Sequence, residues 1–289
     1  MIHKGREISM RKYYIDNIRW MIILLLVPYH AAMAWNVWGE PNYINFESNK
    51  IISGIVVFFS PYVVPLMFLL AGISTKYALQ KRTVGQYVLE RTKKITAILL
   101  QRKIMRLKDF DVPMALIFLW GLPLPFFSGV LSIGGKSLAE YTYVFLAGCY
   151  IFSNDDVINK VEKWKWMFLC IGITATIFNV YLFIWSDTQQ ILLNTIAKYV
   201  SKWFMISSLL GIGKGYLNLN GKISKYMSKR SYTFYIFHFI WVVLFQYLLF
   251  QVCSGNIILL YVLPVLFAYG ETLLCCEICS KVAFFSFLR

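Results

Sequence analysis

Two ionisable side chains, Arg19 and His30, lie eleven positions apart inside the apolar stretch YYIDNIRWMIILLLVPYHAAMAW, residues 13–35. A carboxylate, Asp16, precedes the arginine by three positions. At about 100° per residue, eleven positions make roughly three helical turns, so Arg19 and His30 leave the helix on one side, about 16 Å apart along its axis. Asp16 falls on nearly the same face, one turn before Arg19. The three make a polar stripe, and in lipid such a stripe must face the bundle interior or a water-filled cavity. A desolvated imidazole stays neutral, which is the form a general base needs. The competing reading of the same residues is structural. Arg19 can snorkel to the headgroups with Asp16 as its partner, and His30 can hydrogen-bond a neighbouring helix.

The elements that position this stripe are membrane helices. Hydrophobic residues make up 58% of the 289 and charged residues 15%, against roughly a quarter charged in a soluble domain. The composition predicts one integral membrane domain, residues 1–289, of all-α class. A span needs about 20 mostly apolar residues. Stretches of that kind lie near 14–37, 51–79, 112–131, 137–153, 165–186, 191–212, 231–252 and 255–280, which predicts a polytopic bundle of about eight spanning helices. No cleavable secretory signal is expected, because the first apolar stretch is too long and no small-residue cleavage site follows it.

The formal net charge is +15. The basic residues sit in short clusters between apolar stretches, so they read as topology signals and headgroup contacts, and nucleic acid is excluded as a partner. Clusters occur in the N-terminal tail, at 81–108, at 160–165 and at 214–230, while the alternate loops are poor in Lys and Arg. The pattern places both termini in the cytoplasm of a multi-pass inner (plasma) membrane protein. Within 81–108, Tyr87, Val88, Ile95, Ile98 and Leu99 recur at roughly helical spacing among the basic residues, which predicts a basic interfacial helix on the cytoplasmic surface.

The remaining chemistry-bearing residues are sparse. The six cysteines fall mostly in apolar segments, where cysteine packs as a small hydrophobe, and CCEIC at 275–279 has no partner Cys/His pair at metal-site spacing. No metal site is assigned. His238 sits mid-helix in YTFYIFHFIW. Its structural reading is a buried histidine bonded across helices, and it is also a further candidate site residue. Glu140, Asp187 and Glu271 read as lone carboxylates at the membrane edge.

The opening YYIDNIRWMIILLLVPYH carries an arginine, ten residues and a histidine in the first apolar helix. The segments PLMFLLAGISTKYALQKRTVGQYVLERTKKI, KSLAEYTYVFLAGCYIFSNDDV and SYTFYIFHFIW follow in order. Together they resemble the acyltransferase-3 family of integral membrane acyltransferases, nearest its glucan biosynthesis protein C-like branch. The resemblance implies transfer of an acyl group, acetyl or succinyl, from cytoplasmic acyl-CoA to a hydroxyl of an extracytoplasmic carbohydrate. It implies acyl-CoA as donor substrate and no resident cofactor. Carried over, His30 matches the family's catalytic histidine and Arg19 the arginine of the same motif, with Asp16 beside them. Arg82, Arg91 and Lys94 match the basic segment that would meet the coenzyme A phosphates. For those three the alternative is a positive-inside anchor.

The resemblance also marks a departure. Family members typically have ten membrane helices, whereas this chain lacks a long apolar helix after its arginine-rich stretch and the helix with a His-Leu-Trp-Phe-like motif that would follow. It reads as shortened by about two central helices. The alternative function is therefore a non-catalytic, internally truncated member acting as a membrane partner protein.

Overall fold

The structure, a computed structural model, describes residues 12–40, 43–81, 113–133, 136–186, 190–253 and 256–281. Arg82, Arg91 and Lys94, and nearly all of the expected interfacial helix, lie outside the described residues. So does Asp187.

The chain runs through α1 (Tyr13–Ala32), α2 (Lys50–Phe59), α3 (Val63–Lys81), α4 (Met114–Leu119), a two-strand pairing of β1 (Ser132–Ile133) with β2 (Lys136–Ser137), then α5 (Leu138–Tyr150), α6 (Asp155–Lys163), α7 (Lys165–Ile184), α8 (Ile191–Tyr216), α9 (Lys222–Val252) and α10 (Ile257–Lys281). Among the described residues, five segments are long and apolar enough to cross a membrane: Tyr13–Trp35, Lys50–Ala78, Lys165–Ile184, Lys222–Val252 and Ile257–Lys281. The described residues form an all-α, polytopic helical bundle with one two-strand antiparallel pairing.

Four segments depart from the expected spans. The expected span 191–212 forms as the 26-residue α8, which carries Lys198, Lys202 and Lys214 and is not among the five. The stretch 112–131 is not one helix: α4 stops at Leu119 and a 3-10 turn occupies Leu124–Phe127. Gly121, Pro123 and Pro125 account for the break, since proline cannot donate to the helical ladder. The stretch 51–79 is two helices, divided at 60–62 around Pro61. The predicted helix 137–153 forms as a 13-residue α5, about 20 Å long and short of the roughly 30 Å hydrocarbon core. An unexpected helix, α6, fills the basic loop after it. Asn154 caps α6 by accepting from the Asp156 N–H at 2.9 Å, and Val157, Ile158 and Val161 turn inward at helical spacing.

α1 is the central post. Ile15, Ile18, Ile22 and Leu26 enter one core cluster with Leu66, Leu69 and Leu70 of α3 and Ile206 and Leu210 of α8. Ile23, Val27 and Ala31, four apart on an adjoining face, enter a second with Phe234 and Val242 of α9 and Ala268 of α10. A helix apolar on most of its circumference is a buried helix, and this one buries two faces. The cores meet along α1, so its polar residues are fixed from both sides.

Small residues let the outer helices approach. A Cβ on Gly72 of α3 would collide with the Phe145 carbonyl oxygen of α5, and one on Gly148 would collide with the Leu69 oxygen. Such backbone-on-backbone crossings are typical of helix pairs in lipid, where packing rather than hydrophobicity drives association. α7 and α8 pair through Gly172 against Met205 and through a 2.6 Å hydrogen bond between Thr176 and Ser201. The indole of Trp203 on α8 donates to the Ile117 carbonyl of α4 at 2.8 Å, satisfying a group the short helix leaves open.

Candidate functional site

The stripe on α1 divides into two ends. At the first, Arg19 Nη1 donates to Asp16 Oδ1 at 3.1 Å and Nη2 to Ser74 Oγ of α3 at 2.9 Å. Both charged side chains are about a quarter exposed. The i, i+3 spacing puts them one turn apart, as the sequence predicts. One turn earlier, Lys12 is bonded to Asp155 of α6 and to Tyr77 of α3. Burial pulls the Lys12 pKa down, but the bonds and charge of Asp155 and Tyr77 outweigh it, and the net direction is up. Lys12 therefore keeps its charge and ties three helix ends together. Between them, buried Asn17 donates to the Leu217 and Leu219 carbonyls, at 2.6 and 2.9 Å, and accepts from Trp20 Nε1 at 2.9 Å. That amide fastens α1 to the connection between α8 and α9 and so sets where α9 begins its passage.

The second end is built around His30, which is half-buried. α9 brings His238 alongside, with ring centroids 5.2 Å apart and planes tilted by 41°. Phe239 packs edge-on to His30 at 5.2 Å. From the loop after α1, Tyr43 stacks on His30 at 5.9 Å, and its hydroxyl bonds His30 Nδ1. Burial, followed by the nearby Tyr29 and Glu40, pushes the Tyr43 phenol well above its usual range, so this partner is a neutral hydroxyl.

The two imidazoles are wired differently. His238 is 3% exposed, and its Nδ1 lies 2.7 Å from the Tyr235 carbonyl oxygen one turn back. A carbonyl only accepts, so Nδ1 carries the proton and Nε2 the lone pair. That Nε2 is buried and has no hydrogen-bond partner among the described residues. Among the described residues His238 makes no bond across helices; it bonds within its own helix, and its Nε2 lies in a buried setting. An unsatisfied buried nitrogen is costly and is found where chemistry or an unseen partner uses it. At His30 the Tyr43 hydroxyl can accept from Nδ1–H, which leaves Nε2 with its lone pair.

The sequence-derived residues therefore fall into three groups. Asp16 and Arg19 meet at one end of α1, and His30 and His238 meet at the other. Arg82, Arg91 and Lys94 belong to the part not described. Tyr43, Phe239 and Ser74 are additions: Phe239 adjoins His238 in sequence, while Tyr43 and Ser74 carry no local signal. Glu140 is a correction. It is not a lone edge carboxylate but is buried and ion-paired to Lys202 of α8, with the Tyr199 hydroxyl on its second oxygen at 3.1 Å. Its partner lies 62 positions on, beyond any local pattern.

A bundle with a histidine pair at one end of a buried helix and an arginine–carboxylate pair at the other defines a multi-pass membrane protein with two polar clusters on its central helix. A family model described as "Acyltransferase domain" matches residues 12–101 and 95–280. The chain belongs to the acyltransferase-3 family, and it is a membrane acyltransferase. No curated protein and no solved structure matched it.

Proposed function

We propose that the protein moves an acyl group, acetyl or succinyl, from cytoplasmic acyl-CoA to a hydroxyl of an extracytoplasmic carbohydrate. The observation that carries the reading is the pairing of His30 with His238 at one end of α1, with Arg19 about 16 Å away along the same helix and Asp16 one turn further. The Arg19 end takes the cytoplasmic side, in an inner (plasma) membrane with both termini inside, because the basic clusters adjoin it. Arg82, Arg91 and Lys94, just past α3, would meet the coenzyme A phosphates as charge-assisted donors. The pantetheine arm would then extend along α1 and bring the thioester to His30, a reach comparable to the helix rise of about 16 Å.

The chemistry at that end is direct transfer. His30 Nε2 takes the proton of the acceptor hydroxyl as its oxygen attacks the thioester carbonyl. The new C–O ester bond forms, the C–S bond breaks, and the departing coenzyme A sulfur takes the proton back from the imidazolium. Tyr43 holds the His30 tautomer by accepting from Nδ1–H. The His238 lone pair lies beside the imidazolium while it exists, and a neighbouring acceptor stabilises that charge. The whole chain, 1–289, works as one domain, shortened in its middle by about two helices relative to the family pattern.

The test is turnover by the purified chain in nanodiscs with acetyl-CoA or succinyl-CoA, with and without a glucan oligosaccharide. Thiol release and acceptor mass are the readouts. The expected result is acceptor-dependent thiol release and one acyl mass added per event. Thiol release that no carbohydrate stimulates, with no acylated product, removes the carbohydrate reading. Absence of both turnover and acyl-CoA binding leaves the truncated partner protein.

A further inference from the structure

Pro28 stands inside α1, two residues before His30. In a helix the N–H of residue 28 would bond the carbonyl of residue 24, and proline has no N–H to give. The Leu24 carbonyl is nonetheless satisfied: the Tyr269 hydroxyl of α10 donates to it at 2.7 Å. Two more side chains reach carbonyls along the next turn. The Tyr261 hydroxyl donates to the Pro28 carbonyl at 3.2 Å, and Gln246 Nε2 of α9 donates to the Ala31 carbonyl at 2.9 Å. Gln246 is 1% exposed. In lipid the vacated Leu24 carbonyl must find a protein partner, and Tyr269 supplies it, while Tyr261 and Gln246 add contacts from α10 and α9.

These bonds bracket His30 rather than touch it. They attach to the backbone before the proline, at it, and one residue beyond the histidine. The interrupted ladder at Pro28 is where α1 can bend, and His30 rides on the short segment past it. A change in bend of about 20°, acting roughly 6 Å from the hinge through two residues of rise and the imidazole arm, displaces the ring by about 2 Å. A misplacement of about 1 Å can cost about 10²-fold in rate.

We propose that Tyr269 is a positioning residue for His30: its hydroxyl replaces the missing amide of Pro28 and fixes the bend that aims the imidazole. Tyr261 and Gln246 lock the same turn. The inference rests on His30 carrying the acyl-transfer chemistry, but its geometric part is readable without turnover.

The experiment is a two-by-two set: the parent chain, Tyr269→Phe, Pro28→Ala and the double variant. Pro28→Ala restores an N–H that can bond the Leu24 carbonyl, which makes the tyrosine hydroxyl redundant. Two readouts are taken in nanodiscs. One is kcat and KM for acyl-CoA; the other is the rate of His30 carbethoxylation by diethyl pyrocarbonate, resolved by peptide mass spectrometry. The expected result for Tyr269→Phe is a fall in kcat of about tenfold or more, with KM changed less than about twofold, and a His30 modification rate changed by about threefold or more. In the Pro28→Ala background, removing the hydroxyl changes each readout by less than about twofold. Equal losses in both backgrounds, or an unchanged His30 modification rate in Tyr269→Phe, overturn the proposal. Should Tyr269→Phe alone fail to accumulate, Pro28→Ala against the double variant decides: matching readouts support the role, and divergent ones overturn it. If the parent chain transfers no acyl group while its His30 modification follows this pattern, the acyltransfer role of His30 fails and the positioning role stands.

Discussion

Removing Lys202 should destabilise the bundle far more than removing Lys202 and the Glu140 charge together. Lys202 and Glu140 are 3% and 6% exposed. Their ion pair joins α8 to α5, Tyr199 donates to the second carboxylate oxygen at 3.1 Å, and the ammonium lies 4.3 Å from the Tyr199 ring centroid. Lys202→Met leaves a buried carboxylate with one neutral hydrogen bond, and breaking a buried pair from one side costs about 3–5 kcal/mol. At about 2–4 °C per kcal/mol for a chain of comparable size, the thermal midpoint falls by on the order of 10 °C. Glu140→Gln alone leaves an uncompensated ammonium and costs a similar amount. Combined, the two variants bury no charge, and the amide carbonyl introduced by Glu140→Gln still accepts from Tyr199. The double variant should lose only about 1 kcal/mol, the scale of one neutral hydrogen bond. The assay is thermal unfolding in detergent, read by loss of the monodisperse peak after stepwise heating. The cycle should return a coupling of several kcal/mol. If the double variant melts as low as the two single losses added together, the residues are not acting as a pair and the reasoning is refuted.

Two further outcomes rest on other contacts. Tyr43→Phe deletes the hydroxyl on His30 Nδ1; at about 1 kcal/mol for one neutral hydrogen bond, kcat should fall about fivefold with KM for acyl-CoA held, and an equal rise in KM would place Tyr43 in donor binding instead. Gly148→Ala drives a methyl into the Leu69 carbonyl oxygen, so α3 and α5 must separate at a cost of about 1–3 kcal/mol; an unchanged melting midpoint would show that the crossing does not depend on this close approach.

The stripe of Asp16, Arg19 and His30 was legible because helical periodicity alone orients residues on one helix. Its reading as inward-facing needed only the cost of charge in lipid. The meeting of His30 with His238 was not legible. It depends on α9 lying against α1 from a start fixed by Asn17 and the carbonyls of Leu217 and Leu219, and no short-range pattern encodes that. Tyr43 reaches His30 from an irregular loop, where spacing carries no direction. The broken spans had visible causes in Pro61, Pro123 and Pro125, but total apolarity outweighed them in a window-length reading. α6 was hidden for the opposite reason: its lysines marked a loop, while Val157, Ile158 and Val161 carried the helical period. Glu140 looked solitary because its partner sits on α8, a different helix.

In the proposed reaction the imidazole at position 30 takes the acceptor's proton, and chemical rescue tests that step. His30→Ala should insert and melt like the parent yet lose about 10²–10⁴-fold in acyl transfer, the usual contribution of a general base. Adding free imidazole to that variant should restore transfer in proportion to the concentration of its neutral form, with no effect on the parent chain. Full activity in His30→Ala without added imidazole would contradict the account.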